Sequence, residues 1–271
     1  MNLNEPSPLN RAAKAAAPLL SSVMTHPLLS RLSLAADAYF NFLLGRGSGT
    51  GWDLASEVAC AANTLGRDHA VIFDVGANRG EWSMMMQQLK PDSRVYMFEP
   101  SPDCQAILSS RGELKASLRP VGLSETAGSA QLYSSGPTDG SASLHERGET
   151  YFSHLDYKPV SVSLSTVDHE VEALGIDRID FMKLDVEGHE LSVLKGAKNT
   201  LKSRRINALA FEFGSGNINS RTFFRDFWDL LNEAGFAISR ITPCGRLLPI
   251  QTYYEDLEYF RGVSNYLAVL K

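Results

Sequence analysis

The stretch Val71-Ile72-Phe73-Asp74-Val75-Gly76-Ala77-Asn78-Arg79-Gly80 constrains the fold more than any other part of the chain. An apolar run ends at an acid, two glycines stand four apart, and the following segment, Glu81 to Leu89, is helix-like. A strand that turns sharply into a helix presents free backbone N–H groups at its carboxyl end. Open α/β sheets hold nucleoside-containing ligands at that place. Gly76 can adopt the angles of a tight turn, and either glycine lets a ligand approach with no Cβ in the way. Further on, Arg94-Val95-Tyr96-Met97-Phe98-Glu99-Pro100 reads as a second strand ending in an acid. At about twenty residues past the glycines, such an acid can accept hydrogen bonds from both ribose hydroxyls.

The pattern continues through the chain. Strands are expected at 70–75, 94–99, 117–121, 160–164, 179–184, 206–213, 236–241 and 264–270. Helices are expected at 52–65, 79–89, 102–111, 189–203 and 220–234. Repeated β-α alternation implies an α/β fold with a parallel sheet covered on both faces. The last two strands are joined by a loop without a helix, so they are expected to pair antiparallel. A polar, Gly/Ser-rich stretch, Ser134–Gly148, interrupts the alternation.

Length and composition set the outer limits. The 271 residues suffice for one substantial domain plus an extension. We place the boundary at the glycine-rich joint Arg46–Gly51, giving an N-terminal helical extension over 1–50 and the main domain over 51–271. No Lys-Ser/Thr pair follows these glycines, so they do not form a phosphate loop. A net charge of −5 gives no sign of a nucleic-acid partner. Cys60, Cys104 and Cys244 form no CxxC pair, which fits reduced thiols in a cytoplasmic protein and indicates neither a disulfide framework nor a zinc site. No apolar run reaches the roughly eighteen residues of a transmembrane segment. Residues 11–29 faintly resemble a signal peptide, but Pro18, Ser21, Ser22, His26 and Pro27 break the apolar core. They read as short helices, with Leu32–Leu44 the clearest, packing on the main domain or on a partner in a homodimer. Weak membrane-surface contact is the lesser alternative.

The glycine loop is GxxxG, without the full GxGxxG pattern and without a lysine for a pyrophosphate. The inferred ligand therefore carries a ribose and a carboxylate-and-amine tail but no phosphates. S-adenosyl-L-methionine meets those requirements. Asp74 would face its cationic end, the turn amides over Gly76, Asn78 and Gly80 its tail, and Glu99 with Pro100 its ribose.

The run DVGANRG, then FEPSP, then Phe181-Met182-Lys183-Leu184-Asp185-Val186-Glu187-Gly188-His189-Glu190 followed by Val193-Leu194-Lys195-Gly196-Ala197, resembles the FkbM-type S-adenosylmethionine-dependent methyltransferases. The similarity runs from about Ala70 to Glu212, and residues 1–65 lie outside it. The resemblance implies a Rossmann-like class I methyltransferase fold: a seven-stranded, mostly parallel sheet with a reversed C-terminal strand and helices on both faces. It also implies O-methylation of a hydroxyl on a small-molecule or carbohydrate acceptor. In that fold the loop after the third strand commonly touches adenine, which makes Gly122, Leu123 and Ser124 candidates; a plain turn accounts for them equally well.

Three residues are candidates for the chemistry. Asp185 closes the fourth strand, where a carboxylate could orient the acceptor hydroxyl, contact the donor's ammonium or bind a metal. Glu212 ends the fifth strand, where an acid in an apolar run is costly to bury unless paired or ligated. His189 is the natural general base by its titration range, although the family block, as far as the resemblance goes, tolerates apolar residues there. Glu187 is expected near the start of the following helix. No metal-ligand spacing is firm, and a divalent cation shared by Asp185 and Glu212 is the one arrangement entertained. Lys183 is expected to neutralise one of these acids. His145, His154 and His169 read as surface residues. Acceptor specificity is expected from the extension and from Ser134–Tyr157, with Tyr133, Tyr151, Phe152 and Tyr157. The competing readings are a nicotinamide-dependent (NAD) oxidoreductase, disfavoured by the missing third glycine, and a methyltransferase fold kept as a binding module without turnover.

Overall fold

The computed structural model describes residues 8–49, 54–146 and 156–271. Expectations that fall on Trp52, Gly148, Tyr151, Phe152 and His154 lie outside the described residues. Two compact units are present, dividing between Leu43 and Leu44. The first contains helices α1 (Pro8–Met24) and α2 (Pro27–Leu43). Pro18, which breaks the apolar run of residues 11–29, lies inside α1. The alanine-rich turns before it have high helix propensity, and the ring removes only one amide donor. None of the residues of α2 is buried, and Leu28, Leu32, Leu34 and Phe40 are all exposed.

The second unit runs in chain order through α3 (Leu54–Thr64), β1 (Val71–Val75), α4 (Glu81–Leu89), β2 (Arg94–Phe98), α5 (Pro102–Ser110), β3 (Ala116–Arg119), β4 (Gly122–Leu123), β5 (Gly128–Ser134) and β6 (Lys158–Ser165). It continues through α6 (Val167–Ala173), β7 (Ile179–Leu184), α7 (Glu190–Lys195), α8 (Lys198–Lys202), β8 (Ile206–Gly214), α9 (Gly216–Ser220), α10 (Phe224–Glu233), β9 (Phe236–Ile241), β10 (Leu247–Pro249) and β11 (Val263–Leu270). The main sheet has the order β10-β9-β11-β8-β7-β1-β2-β3. β1 pairs in parallel with β2 and β7, and β7 with β8. β11 lies antiparallel between β8 and β9. These strands form the expected mostly parallel sheet with a reversed last strand, and β10 adds a short eighth strand at the edge.

Strand alternation decides which residues reach the site. Val71, Phe73 and Val75 point to one face, where they join Met182, Leu184, Leu209 and the aromatic cluster of Phe211, Phe213, Phe224 and Phe227. Ile72, Phe181, Ala208, Ala210 and Leu267 point to the other face, against Val58 of α3 and Trp82 and Met86 of α4. Because side chains alternate with period two, Asp74, Lys183, Glu212 and Asn265 all fall on this second face, toward α3 and α4.

A second, three-stranded sheet, β4-β6-β5, was not anticipated. β5 pairs antiparallel with β6 from Gly128↔Leu164 to Ser134↔Lys158. The single helix expected at 189–203 is two, α7 and α8, parted at Gly196-Ala197. A Cβ on Gly196 would lie 2.0 Å from the Ser124 carbonyl oxygen, so the close approach of that loop fixes the residue and the break.

Candidate active site

The turn after β1 is built around Gly76, whose φ is +79°. A Cβ there would come within 1.9 Å of the Asp185 carbonyl oxygen. Only glycine allows the turns after β1 and β7 to meet this closely. The Gly76 and Ala77 amides donate to the Phe98 carbonyl at 2.9 and 3.2 Å, tying the turn to the end of β2.

Two cavities open at this junction. The smaller, about 80 Å³, is walled by Gly76, Asn78, Glu99, Pro100, Gly122, Leu123, Asp185 and His189. The larger, about 480 Å³, is walled by Glu57, Gly76, Asn78, Lys183, Asp185, Glu187, Glu212, Thr242 and Asn265. Gly76, Asn78, Gly140, Asp185 and Glu187 border both. Thr138 and Gly140, from the connection between β5 and β6, help to line the larger one.

In the smaller cavity the Glu99 carboxylate is fixed before any ligand arrives. Its Oε2 accepts from the Asn78 amide at 2.7 Å and its Oε1 from the Ser101 amide at 2.8 Å. Burial pushes its pKa up, and these two amides oppose the shift. Each oxygen keeps a further lone pair for a ligand hydroxyl.

In the larger cavity the dominant feature is Lys183, a buried cation among acids. Register places it beside Asp74. Its Nζ lies 3.3 Å from Asp74 Oδ1 and 3.2 Å from Asp185 Oδ2, and donates to the Gly76 carbonyl at 3.1 Å. Desolvation favours its neutral form, but Asp185, Asp74 and Glu57 outweigh this and raise its pKa. The lysine stays charged.

Asp74 departs from the sequence reading. It is fully buried, lines neither cavity, and directs Oδ2 to the Ser83 hydroxyl at 2.6 Å. It therefore anchors Lys183 and does not face a ligand's cationic end. Gly80 likewise lines neither cavity and packs against Leu108 and Leu114.

Glu212 pairs in register with Asn265 of β11 and faces the larger cavity. Burial pushes its pKa well above the usual carboxylate range, and Asp185, Glu187, Glu57 and Glu190 add to the shift. Carboxylate oxygens of Asp185, Glu187 and Glu212 lie within 4.8 Å of one another. Glu187, at φ 54°, thus joins the pair considered from sequence.

His189 borders the smaller cavity and not the larger. Its Nε2 is 2.9 Å from the Ser124 hydroxyl and its Nδ1 is 3.1 Å from Nε2 of His145. Burial, with His145 beside it, lowers its pKa to about 4. His145, read from sequence as a surface residue, belongs to this chain of polar contacts. Ser143 reinforces it, with its hydroxyl donating to the Glu187 carbonyl at 2.8 Å. Ser124 touches His189 and borders neither cavity.

Two participants escaped the sequence reading. Glu57 lies in α3, ahead of the motif region, where helical periodicity signals only packing. The Ser143–His145 strap sits in a polar stretch with no motif of its own. A glutamate in the first turn of the helix preceding β1 was the only available sign of the first.

Comparison with known proteins places this geometry. A family model described as the methyltransferase FkbM domain matches residues 74–238. The methyltransferase sdnD of Sordaria araneosa is 31% identical over 153 residues, covering 46% of this chain and 59% of that protein. The 2-O-methyltransferase NoeI of Sinorhizobium fredii is 29% identical over 155 residues, covering 52% of this chain and 63% of that protein. The hexuronic acid methyltransferase AglP of Haloferax volcanii is 29% identical over 152 residues, covering 54% of this chain and 56% of that protein. In each case the chain spans less than two thirds of the relative's length. The glycine turn, Glu99, the Lys183–Glu190 block and Glu212 all fall inside the matched stretch, and the chain belongs to the FkbM methyltransferase domain family.

Proposed function

We propose that the protein is an S-adenosyl-L-methionine-dependent methyltransferase acting on a hydroxyl of a carbohydrate or similar polyhydroxylated small molecule. The charge of the larger cavity carries this reading. Glu57, Glu81, Asp185, Glu187 and Glu212 line it against Arg79 and Lys183, and Lys183 is already committed to Asp74 and Asp185. A sulfonium with an ammonium tail is attracted to such a wall. The pyrophosphate of a nicotinamide dinucleotide is repelled by it. The smaller cavity carries groups suited to part of the nucleoside: Glu99 for the ribose hydroxyls, with Gly122 and Leu123 along the edge of the base. The methyl carbon would then stand near Asp185, where the two cavities meet.

The acceptor assignment rests on the polar lining of the larger cavity and on the relatives named as a 2-O-methyltransferase and a hexuronic acid methyltransferase. Transfer is one in-line displacement, from sulfur to the acceptor oxygen, so positioning supplies much of the rate. The acceptor hydroxyl must also lose its proton. Asp185 and Glu212 are assigned that task. His189, on the nucleoside side and with a lowered pKa, is assigned to hold the Gly122–Ser124 loop.

The grouping of Asp185, Glu187 and Glu212 favours a second version of the deprotonation step. Three convergent carboxylates suit a divalent cation, which would relieve their repulsion and lower the pKa of a bound hydroxyl. Calorimetry with S-adenosylmethionine, S-adenosylhomocysteine and NAD, followed by a screen of glycans and uronic acids scored by the mass of one added methyl group, tests the whole reading. Binding of NAD and of neither sulfur nucleoside would overturn it. An unchanged transfer rate in excess chelator would remove the cation and leave the carboxylates as base.

A further inference from the structure

We propose that Glu57 receives the α-ammonium group of the methyl donor, so that α3, which lies ahead of the family-matched stretch, completes the donor site. The proposal rests on the methyltransferase reading above. Glu57 stands in the first turn of α3 and lines the larger cavity together with Gly76, Asn78, Lys183 and Asp185. Its carboxylate is aimed by two neutral donors. Trp82 Nε1–H donates to Oε1 at 3.1 Å, and Asn265 Nδ2–H donates to Oε2 at 3.3 Å. Trp82 is itself fixed by stacking on Phe181, with ring centroids 6.0 Å apart. No cation forms a salt bridge with Glu57 among the described residues.

The neighbouring charges leave this acid open to a ligand. Asp74 is sealed behind Ser83 and Lys183. The ammonium of Lys183 is taken up by Asp74, Asp185 and the Gly76 carbonyl. The amides of Gly76, Ala77, Asn78 and Gly80, expected from sequence to hold the donor's tail, are already bonded within the protein, whereas the ammonium of that tail needs a carboxylate. Glu57 offers one in the wall of the cavity it lines with Gly76 and Asp185, the cavity the tail would enter.

The electrostatics agree. Burial lifts the Glu57 pKa to about 7, with Asp185 and Asp74 adding to the shift and Lys183 opposing it. Glu212 and the Cys60 thiol are the other titratable groups that feel this carboxylate. An arriving ammonium compensates the cost of ionising it, so binding of the tail is coupled to proton release from Glu57.

Truncating the ligand against the residue tests the assignment. S-adenosylhomocysteine carries the amino-acid tail, and 5′-methylthioadenosine keeps the nucleoside without it. Affinities of both are measured by calorimetry for the wild type, for Glu57→Gln and for Glu57→Asp. Expected is a loss of about tenfold or more for S-adenosylhomocysteine in Glu57→Gln, as for truncation of one partner in a charge pair. Glu57→Asp should recover part of it, and 5′-methylthioadenosine should bind all three proteins alike. Equal affinities for S-adenosylhomocysteine would overturn the proposal, as would parallel losses for both nucleosides, which indicate distortion of the site. Wild-type protein that binds neither nucleoside would bring down the methyltransferase reading itself.

Discussion

Lys183 governs the charge balance of the site from a position almost closed to solvent, holding Asp74 on one side and Asp185 on the other. Its two partners should respond very differently to its loss. Asp74 is fully buried, so Lys183→Met leaves an uncompensated interior charge, with an expected cost of about 3–5 kcal/mol, measurable by urea denaturation. Asp185→Asn changes a carboxylate whose side chain is 36% exposed and should cost far less stability, while reducing methyl transfer more than tenfold. At His189, substitution by alanine should raise the apparent KM for the donor and leave the neutral-pH limb of kcat unchanged, because the imidazole reaches Ser124 and not the acid cluster. A vanished pH limb would restore it as the base. The residues themselves were legible in the sequence, since spacing after a strand marks Asp74, Glu99 and Asp185. The direction of each side chain was not. Strand parity and register turn Asp74 inward to Lys183, and neither can be read before the neighbouring strand is known.

Strands and turns carry the same lesson at the next scale. The β1 turn and the β7 turn interlock through the absence of one Cβ. Gly76→Ala should therefore yield insoluble or strongly destabilised protein, because the added atom would sit 1.9 Å from a carbonyl oxygen at a residue with positive φ. Gly112→Ala, with no neighbouring atom within 4 Å, should stay within about 0.5 kcal/mol of the parent. Thermal melts of the pair make the comparison. The parallel core of the sheet was readable because its strands are apolar runs between helices. The small sheet was not. Gly128–Ser134 is polar and mostly uncovered, and its pairing with β6 depends on a partner some thirty residues away, so local pattern signals only a loop. The split of α7 from α8 was hidden for a related reason, since Gly196 answers to the Ser124 loop and not to its own helix.

Over the whole molecule, buried acids and a buried imidazole set opposite pH limits on stability. Burial raises the Glu190 pKa to about 8 and the Glu57 pKa to about 7, against an ordinary 4.5. The folded state holds these protons more tightly than the unfolded chain. Their contribution is full below about pH 4.5 and is lost as pH rises through 7 to 8. His189 acts in reverse, with a folded pKa near 4 against an ordinary 6.5, so its contribution is full above 6.5 and lost as pH falls toward 4. Between pH 4.5 and 6.5 two acids outweigh one imidazole, so Tm measured from pH 4 to 9 should decline as pH rises to about 8, most plainly on the alkaline side where His189 no longer offsets it. That decline should flatten in Glu190→Gln; an unaltered alkaline slope would assign it to other groups.

Asn265 makes the second hydrogen bond to Glu57, and it belongs to β11, which enters the sheet between two strands that precede it in the chain. On a ribosome, therefore, the glycine turn, the smaller cavity and most of the acid cluster emerge while the wall beside Glu57 still lacks its support. A nascent chain would gain its complete site only when the stretch around residue 265 has cleared the exit tunnel and slotted between β8 and β9. Synthesis order itself thereby delays completion of this wall until the central sheet has closed.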